Sequence, residues 1–211
     1  NIIWKIRLPR VLMAGILGGA LALSGFLLQT FFSNPIAGPY VLGISSGAKM
    51  MVALAMIIFL KYYTLVSSYI LIIAAFIGSM LSIGFILLLA RKIRNMATLL
   101  VGGIMIGYIC SAVTDFVVTF AEDSDIVNLH GWSQGSFSGM SWSNVKVAAL
   151  MVGITLILTF FLSKPIGAYQ LGEMYAQSMG VNIRVFRVLL ILLSSVFSAC
   201  VTAFAGPISF V

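Results

Sequence analysis

Charge is scarce along this chain: only 8% of its 211 residues are Asp, Glu, Lys or Arg, and only five are acidic. Soluble domains carry about 25% charged residues and about 45–50% apolar ones, whereas 61% of this chain is hydrophobic. A water-soluble core of this length cannot hide that much apolar side chain, which leaves a polytopic membrane protein. Histidine is almost absent. The single one, His130, excludes a His-based metal cage or a Ser-His-Asp set assembled within the chain. Beside Trp132 it reads as a wet interfacial residue. Neither GxxxxGKS nor GxxxxGKT occurs, so the chain carries no phosphate-binding loop for ATP. The two cysteines, Cys110 and Cys200, both fall inside apolar runs and read as small packing residues, not as a disulfide or a metal site. No cofactor motif and no catalytic constellation remain, so the chain is not read as an enzyme. A formal charge of +7 does not make it a nucleic-acid binder. Its basic residues are spread thinly and form no stripe that would neutralise phosphates.

What is present is apolar sequence in long runs. These predict an all-α transmembrane bundle of about six spans, over residues 11–32, 42–60, 68–90, 97–120, 145–162 and 188–204, each near the length that crosses a bilayer core of about 30 Å. The first span carries Gly15, Gly18, Gly19, Ala22 and Gly25, a small-residue face of the kind that lets helix backbones approach in lipid; Ser24 and Gln29 alternatively line a pore. Residues 33–47, SNPIAGPYVLGISSG, break the pattern, since Pro35 and Pro39 each remove a backbone donor. That segment is either a tight loop buried in the bundle or an interfacial turn. Lys61, Tyr62 and Tyr63 form an interface belt. Asp115 is the one carboxylate written inside an apolar run, a functional candidate by default unless a wet vestibule surrounds it. WSQGSFSGMSW, residues 132–142, suits a short amphipathic helix at an interface or a plain aromatic belt.

Basic residues near span ends orient the chain. Arg91-Lys92-Ile93-Arg94 is the densest cluster; placing it in the cytoplasm puts residues 164–187 there too. The acidic loop with Glu122, Asp123 and Asp125 then lies outside. Lys5, Arg7 and Arg10 fall outside against the rule, which an additional upstream span would explain. Neither Asn1 nor Val211 reads as a natural start or stop, so a piece of a longer protein is expected.

The 164–187 stretch, KPIGAYQLGEMYAQSMGVNIRVFR, is the longest polar interruption toward the C-terminal end. Residues 168–179 are expected to form a short helix that Gly180 ends, with a second helix beginning over 181–187. Leu171, Met174, Tyr175 and Ser178 share one face by spacing, and Glu173 sits in the first turn, where the helix dipole favours negative charge. Such a helix either docks in a groove of another protein or rests on the membrane surface.

Five stretches in order carry a resemblance: Arg7-Leu8-Pro9-Arg10 with the glycine-rich span to Gln29; Asn34-Pro35 through Pro39, Leu42-Gly43 and Ser45-Ser46-Gly47-Ala48; Trp132-x-x-Gly135-Ser136 with Trp142; Leu171-Gly172-Glu173 with Ala176 and Gly180; and Ala205-Gly206-Pro207-Ile208-Ser209-Phe210-Val211. Together they resemble the FecCD-type permeases of ABC importers for iron-siderophores, haem and cobalamin. The resemblance implies a subunit of about ten helical spans, of which this chain holds about six. It also implies a homodimer or a pair with a close paralogue, with two cytoplasmic ATPase subunits and an external substrate-binding protein as partners. Leu171, Gly172, Glu173, Ala176, Gly180 and Arg184 match the loop helices that dock on the ATPase. Gln29, Asn34, Pro35, Gly107 and Asp115 are the candidate pathway residues, and Glu122, Asp123 and Trp132 the outer face toward the binding protein. The expected function is alternating-access import of a metal chelate, most plainly an iron-siderophore, in the bacterial inner membrane. The competing readings are an ion-gradient-driven transporter, which requires inverted repeats and midplane ionisable groups, and a non-transporting scaffold packed through glycine faces.

Overall fold

The computed structural model describes residues 2–35, 37–38, 42–62, 68–93 and 96–208. Among them every regular element is a helix: a π-helical turn Ile3–Arg7 running into α1 (Leu8–Phe32), then α2 (Ile44–Tyr62), α3 (Ser68–Lys92), α4 (Met96–Val118), α5 (Asp123–Ser133), α6 (Trp142–Phe161), α7 (Ser163–Gln170), α8 (Glu173–Ser178) and α9 (Ile183–Ala205). Pro39, Tyr63, Arg94 and the final Ser209-Phe210-Val211 lie outside the described residues.

α9 is the axis of the bundle, packing against α1, α2, α3, α6 and α8. In lipid the hydrophobic effect does not drive helices together, so close packing and interhelical hydrogen bonds must. α9 has both. Phe197, Leu190 and Ile191 are buried in the main core with Met13, Leu17, Leu27 and Phe31 of α1. At mid-helix, Ser24 Oγ donates to the Ser194 carbonyl at 2.8 Å, Ser194 Oγ donates to the Ser24 carbonyl at 3.0 Å, and Ser24 and Ser198 hydroxyls lie 2.6 Å apart. Each such bond contributes about 0.6 kcal/mol in membrane proteins. Ser24 is fully buried in this seam, which removes it as a pore-lining residue.

Among the described residues, no helix lies against the glycine face expected to pack α1. A Cβ at Gly15, Gly18, Gly19 or Gly25 would meet nothing within 4 Å; α1 instead buries the stripe Met13, Leu17, Ala20, Ser24 and Leu27. The close glycine approach lies elsewhere, between α2 and α3, where a Cβ on Gly47 would fall into Ser82 and 2.7 Å from the Gly78 carbonyl oxygen. Ala48, Val52, Ala53, Ala74 and Ala75 continue that contact as a second, small-residue core.

Among the described residues five helices are long and apolar enough to cross a membrane: Ile3–Phe32, Tyr69–Ala90, Ala97–Val118, Trp142–Phe161 and Ile183–Ala205. The expected sixth, α2, covers Ile44–Tyr62 and is apolar over Ile44–Ile57. It begins inside the bundle. Leu42, Gly43 and Ile44 are buried, and a Cβ on Gly43 would lie 2.8 Å from the backbone nitrogen of Gly107, halfway along α4. Ser33 thus lies at the end of α1, while Leu42, Gly43 and Ile44 lie inside the bundle with protein around them. The bundle is a multi-pass membrane protein by this surface too: Tyr108, Ile109 and Phe116 of α4 and Leu150, Phe160 and Phe161 of α6 are all exposed.

Candidate functional site

The 164–187 region does not form the single helix expected over 168–179. Its helices α7 and α8 are separated by Leu171 and Gly172, because Gly172 takes φ 127° and ψ 145°, a backbone region closed to side chains with a Cβ. α8 ends in a Schellman motif: Val181 N–H donates to the Ala176 carbonyl at 3.1 Å and Gly180 N–H to Gln177 at 3.0 Å, with Gly180 at φ 84°. Asn182 then caps α9, its Oδ1 accepting from Val185 N–H at 3.3 Å. The start of this helix at Ile183 falls within the 181–187 stretch expected to begin a second helix, ahead of the apolar run at 188, because the side-chain cap sets it.

These turns decide what is presented. Ala176 is fully buried, while Leu171, Met174, Tyr175 and Met179 are exposed, Met174 by 86%. Leu171 precedes α8, so the shared face is not a helical stripe but a small apolar cap over a polar loop. Ser178 turns inward to its own backbone, Oγ donating to the Tyr175 carbonyl at 2.7 Å. Glu173, in the first turn of α8, accepts from Arg187 Nη2 at 2.6 Å. Arg184 is exposed. Sequence reasoning picked out Arg184 and missed the pairing of Arg187, although both lie in the first two turns of α9.

The break after α1 is the neighbour of this loop. Ser33 closes α1 in the left-handed region at φ 48°, and Asn34 N–H donates to the Gln29 carbonyl at 3.1 Å. Gln29 is exposed and its Nε2 donates to the Pro35 carbonyl at 3.0 Å, so Gln29, Asn34 and Pro35 form one turn. The next residue of α1, Thr30, accepts from Gln170 Nε2 at the end of α7 at 3.4 Å. Between α1, α6 and α7 a cavity of about 470 Å³ opens, lined by Leu23, Phe26, Phe160, Ile166 and Gln170.

The remaining pathway candidates lie at other depths. Gly107 is mid-span against Gly43, 3.4 Å from a would-be Cβ to Gly43 Cα. Asp115 is exposed a further two turns along α4, toward α5. The structure therefore strings Gln29, Asn34, Pro35, Gly107 and Asp115 over three levels of the bundle and gathers only the first three.

At the far end α5 runs over Asp123–Ser133, not over 132–142. Asp123 and Asp125 in its first turn suit a helix N-terminus, whereas Gly135 at φ 72° ends helical geometry before the second tryptophan. Glu122 and Asp123 are exposed, but Trp132 is half-buried against the small-residue core. Trp4 and Trp142 stack at 5.3 Å, Trp142 Nε1 donates to the Trp4 carbonyl at 3.0 Å, and Arg10 Nη2 donates to the Ser138 carbonyl at 2.6 Å. Among the described residues no three His, Cys, Asp or Glu are grouped to hold a metal.

Comparison with known proteins matches the FecCD transport family over residues 1–211. The hemin transport system permease protein HmuU of Yersinia pestis is 37% identical over 211 residues, covering 99% of this chain and 63% of that protein. The vitamin B12 import system permease protein BtuC of Vibrio parahaemolyticus is 36% identical, covering 100% of this chain and 63% of its own length. A solved structure of a metal-chelate type ABC transporter in an inward-facing conformation superposes with a TM-score of 0.87 at 27% identity, over 97% of this chain and 64% of that one. The chain thus spans a little under two thirds of the length of these relatives.

Proposed function

The chain belongs to the FecCD transport family, and on that premise we propose that it is the permease part of an ATP-driven importer in the bacterial inner membrane. Its cargo class is a metal chelate, an iron-siderophore, haem or cobalamin, in line with the haem and vitamin B12 permeases it is similar to. The α7–α8 end faces the cytoplasm, as the basic residues favour, and the α5 end with Glu122 and Asp123 faces an external substrate-binding protein. Two such subunits, identical or paralogous, enclose the path. ATP hydrolysis belongs to separate cytoplasmic subunits that dock on the loop carrying Leu171, Gly172, Glu173, Ala176, Gly180 and Arg184, in which Ala176 is buried. Residues 1–211 act as one transmembrane unit, with 164–187 as its coupling loop.

The observation that carries this reading is the apolar cap of α8. Met174, Leu171 and Met179 are the side chains a partner groove would take, and they stand at an aqueous end where bare apolar surface otherwise costs free energy. A lipid-lying helix is the weaker account, because Glu173, Gln177 and Arg184 surround the cap. Alternating access then requires the ATPase to bind two permease conformations with unequal affinity, since a partner that binds both equally shifts neither. Met174→Cys, cross-linked to the co-expressed ATPase in membranes and scored with chelate uptake, tests this directly. A cross-link that forms and depends on nucleotide supports docking; no cross-link at Met174 or Leu171, with uptake intact, would sink it.

A further inference from the structure

A six-residue helix cannot hold its own geometry, and α8 is joined to its neighbours at Gly172 and Gly180, both with positive φ. A push delivered to Met174 is absorbed in those two joints unless side chains bridge them. Two features do. Ala176 is fully buried beneath α8. The guanidinium of Arg187, on the second turn of α9, donates through Nη2 to Glu173 Oε2 at 2.6 Å and through Nε to Tyr169 Oη at 3.5 Å. Tyr169 is itself buried, its ring 5.3 Å from that of Phe186 on α9. One planar cation therefore gathers the end of α7, the first residue of α8 and the body of α9, a geometry the arginine fork suits and a lysine does not.

We infer that the Arg187–Glu173 pair is the link by which movement of α8 is imposed on α9, with Arg187 a positioning residue that need not touch the partner. The inference rests on the docking reading above. It assigns Glu173 an inward role, whereas Arg184, exposed nearby, is left for the partner itself. The pair is partly solvated, 28% and 47% exposed, and exposed pairs add little to stability. Its effect should appear in coupling and not in thermal unfolding.

The test uses the native permease in nanodiscs with its ATPase and binding protein, comparing Glu173→Gln, Arg187→Gln and the exchange Glu173→Arg with Arg187→Glu. Spin labels at Gln177 and Val185 report how tightly α8 is held to α9. Each single variant should broaden that distance distribution and lower chelate-stimulated ATP hydrolysis by up to about fivefold, with an unchanged melting temperature; the exchange should restore both. Unchanged distances in the single variants, or an exchange that restores neither readout, would overturn the link. Absence of the Met174→Cys cross-link in the otherwise unaltered protein counts against docking alone, because the label distance judges the link without the partner.

Discussion

At the α5 end of the bundle, Trp4 stacks on Trp142, Arg10 reaches Ser138, and Ser136 N–H donates to the Ala205 carbonyl at 2.8 Å. These contacts fasten the N-terminal turn and the α5–α6 connection to α6 and to the end of α9. At the α7–α8 end the fastenings include a partly solvated ion pair, a long Arg187–Tyr169 bond with the Tyr169 ring packed on Phe186, a buried alanine and a long amide-to-threonine bond. Both ends contain a glycine with positive φ, yet their surroundings differ. A Cβ at Gly135 would lie 2.5 Å from Ile208 Cγ2 and 2.9 Å from the Ala205 carbonyl oxygen, whereas one at Gly172 would meet nothing within 4 Å. The first glycine is needed for space and conformation, the second for conformation alone. One end is held against the rest of the molecule; the other is held out from it.

The same substitution at both glycines is the sharpest way to break this contrast. Gly135→Ala adds an overlap to an unfavourable backbone and should destabilise the protein by about 2–4 kcal/mol, read as a lower melting temperature in detergent. Gly172→Ala should leave that temperature nearly unchanged, since an exposed loop can rearrange, but should reduce ATPase-coupled uptake. Equal melting temperatures for the two variants would remove the distinction. Trp142→Ala, which strips one ring from a half-exposed stack and a hydrogen bond, should cost about 1–3 kcal/mol, read as a lower melting temperature. Arg10→Met, which keeps the apolar stem and deletes the bond to Ser138, should cost about 1 kcal/mol, again by thermal unfolding. The smallest effect is expected at the end of α1, where Ser33→Gly relieves a left-handed backbone and should stabilise by about 0.5 kcal/mol, the gain being offset in part by the freer unfolded chain.

The membrane class and the positions of α1, α2, α3, α4, α6 and α9 were legible because long apolar runs leave a helix no other place to be. Ends were less legible, and for particular reasons. α9 begins at the Asn182 cap, a local side-chain bond that an apolar window does not register. α5 begins at Glu122 and stops before Gly135, so the aromatic stretch that attracted attention is mostly turn. The glycines of α1 looked like a packing face because their spacing fits one, but spacing cannot say whether a second helix is there; the pair that does touch, Gly47 and Gly78, sits beside Ser46 and Ser79 in two different helices. Likewise the choice between Arg184 and Arg187 depends on the angle between α8 and α9, which the turn at Gly180 sets. Gln29, Asn34 and Pro35 came out as one group because they are close in sequence. Gly107 and Asp115 did not join them, since each turn of α4 moves a residue about 5.4 Å further along the axis.

The Ser24–Ser194–Ser198 seam has a mechanical consequence. Ser194 lies close to the midpoint of α9, leaving roughly 16 Å of helix on either side. Reciprocal hydroxyl–carbonyl bonds resist sliding of α9 along α1 more than they resist a small tilt about the shared point. α9 is then a first-class lever with unequal arms, about 10 Å to Arg187 and about 16 Å to Ala205. A displacement at Arg187 would reappear at Ala205 enlarged and with opposite sense, delivered to the Gly135 contact across the membrane.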